Sequence, residues 1–72
     1  MSNFSETLKS LRMSKNMSQK QISNHLEITD RQYRRYENNE QQPTFPIVIK
    51  LADYFNVSLD YLVGRSDDPT RH

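Results

Sequence analysis

One helix-start signal occurs twice at a short distance, and this repeat limits the folds open to the chain. Ser18 and Gln21 have the spacing of a capping box, in which each side chain binds a backbone N–H that the first helical turn leaves unpaired. Thr29 and Gln32 repeat the pattern eleven residues later. Each box is flanked by an apolar pair of the hydrophobic-staple type: Met17 with Ile22, and Ile28 with Tyr33. The distance predicts one short helix, a tight turn and a second helix.

Two of the predicted helices show a one-sided pattern. The first helix, over about residues 5–15, carries a narrow apolar stripe. The second capping box starts a helix that is predicted over about residues 30–38. There, Tyr33, Tyr36 and Glu37 share one face at 100° per residue. Basic side chains point the other way: Arg31, Arg34 and Arg35.

Two more helices are predicted in the second half of the chain. One begins near Thr44 and has Pro46 in its first turn. Phe45 is expected just outside the helical angles, because a proline follows it. The other begins at Ser58 and stops at Gly64, since glycine favours a helix end.

Length and composition limit the remaining possibilities. The chain has 72 residues and strand-like alternation is absent, so we predict an all-α, compact five-helix domain over residues 1–65 and a disordered polar tail over residues 66–72. There is no cysteine, and we find no metal-ligand spacing, catalytic triad or glycine-rich phosphate loop. We therefore expect no cofactor, no metal site and no enzymatic activity. Without a membrane-length apolar run or a signal core, the sequence favours a cytoplasmic location.

The distribution of charge is more informative than its sum. The formal net charge of +1 is too small to indicate a nucleic-acid partner by itself. Basic residues dominate residues 1–35, whereas acidic residues concentrate in the second half. This asymmetry suggests a partner on one side of the domain, and an ordinary solvated surface is the alternative.

Several stretches resemble the lambda/434-type repressors, which form the XRE or Cro/C1-type helix-turn-helix family. The resemblance covers about residues 8–65 and rests on motifs in the family's order: LKSLR at 8–12, MSQKQI at 17–22, RYENN at 35–39, Pro43, and LADYFNVSLDYL at 51–62. Two positions depart from the family, which usually has glycine where this chain has Glu27 and Asn39. A positive φ is strained for glutamate and milder for asparagine.

The resemblance implies that the third helix reads DNA in the major groove. The implied base contacts are Asp30, Arg31, Gln32 and Arg35. Arginine suits guanine and glutamine suits adenine, whereas Asp30 either accepts from cytosine or favours the positive helix N-terminus. The implied contacts to the DNA backbone are Lys9, Arg12, Gln19, Thr29, Arg34, Asn38 and Thr44.

Three further features follow from the resemblance and from the apolar pattern. The family implies a partly buried ion pair between Arg12 and Glu37, with two exposed charges as the alternative. Gln19 is expected to brace a side chain of the third helix, unless it is simply exposed. A dimer interface is expected where one short helix cannot bury all its apolar area, at Phe45, Leu59, Tyr61 and Val63. The alternative is that these residues complete the core.

These expectations combine into one functional hypothesis. We expect a sequence-specific DNA-binding transcriptional regulator, and more specifically a repressor that occludes a promoter as a homodimer on a palindromic operator. Neither a membrane nor a small-molecule ligand is indicated. The alternative is a protein-interaction module or antitoxin that reuses the same fold.

Overall fold

A computed structural model describes residues 3–66 and 68–70. Over these ranges the chain forms five helices and no strand: α1 (Phe4–Ser14), α2 (Gln19–Leu26), α3 (Asp30–Glu37), α4 (Phe45–Phe55) and α5 (Leu59–Leu62). The predicted all-α, five-helix architecture is therefore confirmed. None of the described helices is long and apolar enough to cross a bilayer.

The two capping boxes form to different extents. At α2 the box is complete, because the Ser18 hydroxyl accepts from the N–H of Gln21 at 3.1 Å and the Ser18 N–H donates to Gln21 Oε1 at 2.7 Å. At α3 the Thr29 hydroxyl accepts from the N–H of Gln32 at 3.1 Å, but the Gln32 side chain does not return the bond. It donates instead to the hydroxyl of Tyr36 at 2.9 Å. The prediction of a complete second box was wrong, since the Tyr36 hydroxyl competes for the same amide.

Helix α4 includes Phe45, which was expected to lie just outside it. Thr44 is its N-cap and Phe45 its first helical residue, so the prediction that Phe45 lies outside the helix was wrong. Pro46 is then the second helical residue. Its missing N–H falls among the donors that every helix start leaves unpaired, so a start at Phe45 loses no hydrogen bond.

The turn between α2 and α3 adopts the left-handed backbone that glycine usually provides. Glu27 has a φ of 59°, and Asn39 after α3 also has a φ of 59°. Both departures from the family pattern therefore keep the backbone path. The glutamate pays roughly 1–2 kcal/mol for this conformation, whereas asparagine adopts it more readily.

The core lies between α3 and the helices around it. α3 contributes the two tyrosines, Tyr33 and Tyr36, which are at most 1% exposed. The other helices contribute aliphatic side chains that are fully buried: Leu8, Ile22, Leu51 and Leu62. This packing fixes the rotation of α3 about its axis and so decides which of its side chains face outward.

The described part of the C-terminal segment, where a disordered tail is predicted, makes hydrogen bonds through backbone N–H groups. The N–H of Ser58 donates to the carbonyl of Pro69 at 3.0 Å, and the N–H of Asp68 donates to the Ser66 hydroxyl at 3.1 Å. Pro69 therefore lies beside Ser58, the N-cap residue of α5. For residues 67, 71 and 72 the expectation falls outside the described residues.

Candidate nucleic-acid interface

The outward face of α3 carries three arginines above a buried face. Arg31, Arg34 and Arg35 are exposed, whereas Tyr33 and Tyr36 lie in the core. Because the tyrosines anchor the helix from below, the arginines project from a rigid element. The predicted division of this helix into a buried and a basic face is confirmed.

Four of the predicted contact residues line one open polar depression. They are Thr29, Arg31, Gln32 and Arg35, and Gln41 from the loop after α3 completes the lining. An adjoining depression is lined by Arg31, Arg34, Arg35, Asn38 and Glu40. Gln41 was not predicted as a member of this surface, although its place in the polar loop after α3 was an available signal.

The side chain of Asp30 makes a hydrogen bond within the protein. Its carboxylate accepts a hydrogen bond from the hydroxyl of Ser23, a completely buried residue of α2. Asp30 is also the first residue of α3, where a negative charge is favourable at the positive end of the helix. Of the two roles left open for Asp30, this geometry favours the structural one.

Glu37 is the centre of a network that ties α1 and α2 to α3. Arg12 Nε lies 2.6 Å from Glu37 Oε2, and Arg12 donates from its Nη2 to Oε1 at 3.1 Å. The two side chains are 15% and 2% exposed, so the predicted, partly buried ion pair is present. Gln19 Nε2 donates to Oε1 at 3.2 Å, which is the expected brace, and the hydroxyl of Tyr33 donates to Oε2.

The same network bears on the phosphate contact expected for Arg12. Its remaining terminal nitrogen, Nη1, donates to the carbonyl of Met17 at 3.0 Å. Each of the three guanidinium nitrogens therefore donates a hydrogen bond inside the domain. This geometry favours a structural role for Arg12 over a contact to DNA.

The network also shifts the pKa values of Glu37 and Tyr33. Burial alone would raise the pKa of Glu37, but hydrogen bonds from Arg12, Tyr33 and Gln19 outweigh it and lower that pKa below its ordinary value. Burial and the bond to Glu37 raise the pKa of the Tyr33 hydroxyl. At neutral pH Glu37 is thus charged and Tyr33 protonated, which are the states that the hydrogen bonds require.

The lowered pKa of Glu37 predicts a loss of stability in acid. A carboxyl group with a native pKa below its unfolded pKa stabilises the fold fully above the unfolded value, roughly pH 4.3 for glutamate, and less as the pH falls through the native value. Urea denaturation from pH 7 to pH 3 should therefore show a stability advantage over Glu37→Gln that shrinks below about pH 4.3. A difference between the two proteins that stays constant over this range would contradict the prediction.

Of the other predicted backbone contacts, Asn38 lines the adjoining depression, whereas Lys9 and Thr44 line neither depression. Lys9 is exposed on α1, and the exposed N-cap Thr44 makes no side-chain capping bond at α4. Asn38 ends α3 and donates to Glu40 at 3.3 Å. These residues belong to α1, to the end of α3 and to the start of α4, and their contact with phosphates stays a prediction.

The predicted dimer residues leave apolar area uncovered. Phe45 is 69% exposed and Leu59 39% exposed, with Val63 similarly open, whereas Tyr61 is half-buried against the core. Ile49 was not predicted as part of this set, but it follows Phe45 by one helical turn and lines a groove with Leu59. We call the set Phe45, Ile49, Leu59 and Val63 the α4–α5 patch.

Comparison with known proteins gives consistent results. A family model described as helix-turn-helix matches residues 8–62. The HTH-type transcriptional regulator YqaE of Bacillus subtilis is 36% identical over 66 residues, which cover 90% of this chain and 57% of that protein. The cryptic phage CTXphi transcriptional repressor RstR of Vibrio cholerae is 35% identical over 60 residues, which cover 83% of this chain and 54% of that protein.

A solved structure extends the similarity to three dimensions. The crystal structure of a transcriptional regulator from Listeria innocua matches with a TM-score of 0.84 and 34% sequence identity, over 86% of this chain and 58% of that one. This chain thus matches little more than half the length of these relatives. The matched residues include α2, the turn at Glu27 and α3. The chain belongs to the XRE (Cro/C1-type) helix-turn-helix family.

Proposed function

We propose that this domain binds double-stranded DNA sequence-specifically and regulates transcription, with α3 in the major groove. The observation that carries the proposal is the α3 surface, where Arg31, Gln32 and Arg35 line one polar depression on a helix anchored from below. Arginine can bridge O6 and N7 of guanine, and glutamine can bind adenine. The names of the similar proteins, which include transcriptional regulators and a repressor, support the same function.

Contacts to the DNA backbone would supply most of the affinity. The candidates are exposed or polar groups around α3: Lys9, Gln19, Thr29, Arg34, Asn38 and Thr44. Repression would follow by occlusion, since a protein that covers an operator within a promoter blocks access to it. We expect a cytoplasmic protein, because its partner is DNA.

A salt titration tests the proposal against a protein-interaction module or antitoxin. Neutralising several phosphates releases counterions, so the logarithm of DNA affinity should fall steeply and linearly with the logarithm of salt concentration. Lys9→Ala should lower that slope by about one. Weak binding to every duplex, with no salt dependence, would contradict the DNA-binding function and favour the alternative.

We propose further that the domain binds DNA as a symmetric homodimer through the α4–α5 patch. One recognition helix reads only a few base pairs, and pairing two half-sites about one helical turn apart enlarges the site. The patch offers exposed apolar side chains on α4, on α5 and at Val63, the residue that ends α5, and Tyr61 is a further apolar residue of α5. Because the patch is small, we expect DNA to drive much of the dimerisation.

Leu59→Asp should weaken binding to a palindrome by about tenfold or more, because it places an unpaired charge in an apolar interface. Binding to a single half-site should not change. The matched control is Met13→Asp, since Met13 is 59% exposed and lies outside the patch. Sedimentation with each duplex measures the stoichiometry, and binding of one protein per palindrome by the parent would rule out the dimer.

A further inference from the structure

A side chain proposed to read DNA is tied to the core. Gln32 donates from its Nε2 to the hydroxyl of Tyr36 at 2.9 Å, one helical turn along α3. Tyr36 is 1% exposed, so its ring cannot reorient freely. Gln32 itself is half-buried and lines the polar depression. A rigid buried group thus holds the end of a side chain that faces the proposed groove.

This bond decides how the Gln32 amide faces a base. With Nε2 turned toward Tyr36, the carbonyl oxygen Oε1 is left to accept a hydrogen bond from outside. The amide nitrogen carries two hydrogens, and one remains for a second contact. An acceptor beside a donor matches N6 and N7 of adenine in the major groove.

We propose that Tyr36 is a positioning residue for DNA readout, whose hydroxyl orients Gln32 to select adenine at one position of each half-site. The proposal rests on the function proposed above for α3. Tyr36 itself touches no base, because it is buried under the helix. A free glutamine loses side-chain entropy when it binds, and a glutamine that is already oriented has less to lose.

The test compares base preferences, which a purely structural hydroxyl would not affect. Tyr36→Phe removes the hydroxyl and keeps the ring. Gln32→Ala removes the side chain that is proposed to contact adenine. In sequence selection from random DNA, Gln32→Ala should abolish one adenine preference, and Tyr36→Phe should reduce the same preference by about three- to tenfold. Combining the two substitutions should add nothing to the loss from Gln32→Ala. Affinity for random DNA should stay at the level of the parent.

Tyr54→Phe is the matched control, because it removes a tyrosine hydroxyl on α4 that bonds to Met17 and not to α3. It should keep every preference. If Gln32→Ala loses the preference and Tyr36→Phe keeps it in full, the positioning role is overturned while the DNA contact of Gln32 stands. If Gln32→Ala keeps it, the contact fails and the positioning role with it.

A second measurement does not depend on the folding of Tyr36→Phe. In the free parent protein, ¹⁵N relaxation of the Gln32 side-chain amide should show restricted motion, like that of a buried amide. The exposed Gln42 provides the reference for a mobile side chain. Equal mobility of the two amides would overturn the proposal.

Discussion

Arg12→Met is expected to lower the free energy of unfolding by about 3–5 kcal/mol, the cost of leaving a buried charge without its partner. The Glu37 side chain is 2% exposed and would keep only the donors from Tyr33 and Gln19. For a small domain with a total stability of roughly 5–15 kcal/mol, this loss is a large fraction. Urea denaturation at neutral pH measures it.

Two further variants separate the pair from a general effect of charge. Arg12→Met combined with Glu37→Met should be less destabilised than the sum of the single variants, because no charge is left unpaired. Arg34 is an exposed residue of α3, the helix that also carries Glu37. Arg34→Met should change the free energy of unfolding by no more than about 0.5 kcal/mol. If Arg12→Met cost less than about 1 kcal/mol, the pair would behave as an ordinary surface ion pair.

Arg31→Ala and Arg35→Ala should each weaken specific DNA binding by about 1–3 kcal/mol, roughly five- to 150-fold. Both side chains are exposed in the same depression and neither takes part in the Glu37 network. Their loss should therefore leave the fold intact and remove one base preference each per half-site. Fluorescence anisotropy with the selected duplex and with a random duplex gives the two affinities.

Lys9→Ala is the contrasting variant for this prediction. Lys9 is an exposed residue of α1 that does not line the α3 depression, and Lys9→Ala should weaken binding to both duplexes to a similar extent. If Arg31→Ala and Arg35→Ala also weakened binding to both duplexes equally, the two arginines would contact only phosphates. Base readout by α3 would then be wrong.

Local signals predicted most of the helices. Ser18 and Thr29 each cap a helix where their spacing predicted it, because a cap depends only on residues one turn apart. The capping-box spacing gave a wrong prediction for the Gln32 side chain, because a buried side chain competes for its hydrogen bond. Gln32 can reach either the backbone of Thr29 or the hydroxyl of Tyr36, and burial of Tyr36 selects the second.

The proposed DNA-binding site also contains features that a local sequence pattern predicts and features that it does not. The arginine face of α3 follows from helical periodicity, since the two tyrosines must lie inward. The pair between Arg12 and Glu37 spans 25 positions and came only from the family resemblance, because no local pattern joins residues so far apart. The exposure of Ile49 depends on how α5 sits against α4, which the sequence of either helix does not specify.

Selection of bound sequences from a random DNA pool tests the role of α3 most directly. The parent should enrich a two-fold symmetric sequence whose half-sites lie about 10 base pairs apart, centre to centre. Arg31→Ala should lose one guanine preference in each half and keep the rest. Failure to enrich any sequence, or an enriched sequence that Arg31→Ala, Gln32→Ala and Arg35→Ala all leave unchanged, would contradict DNA readout by this helix.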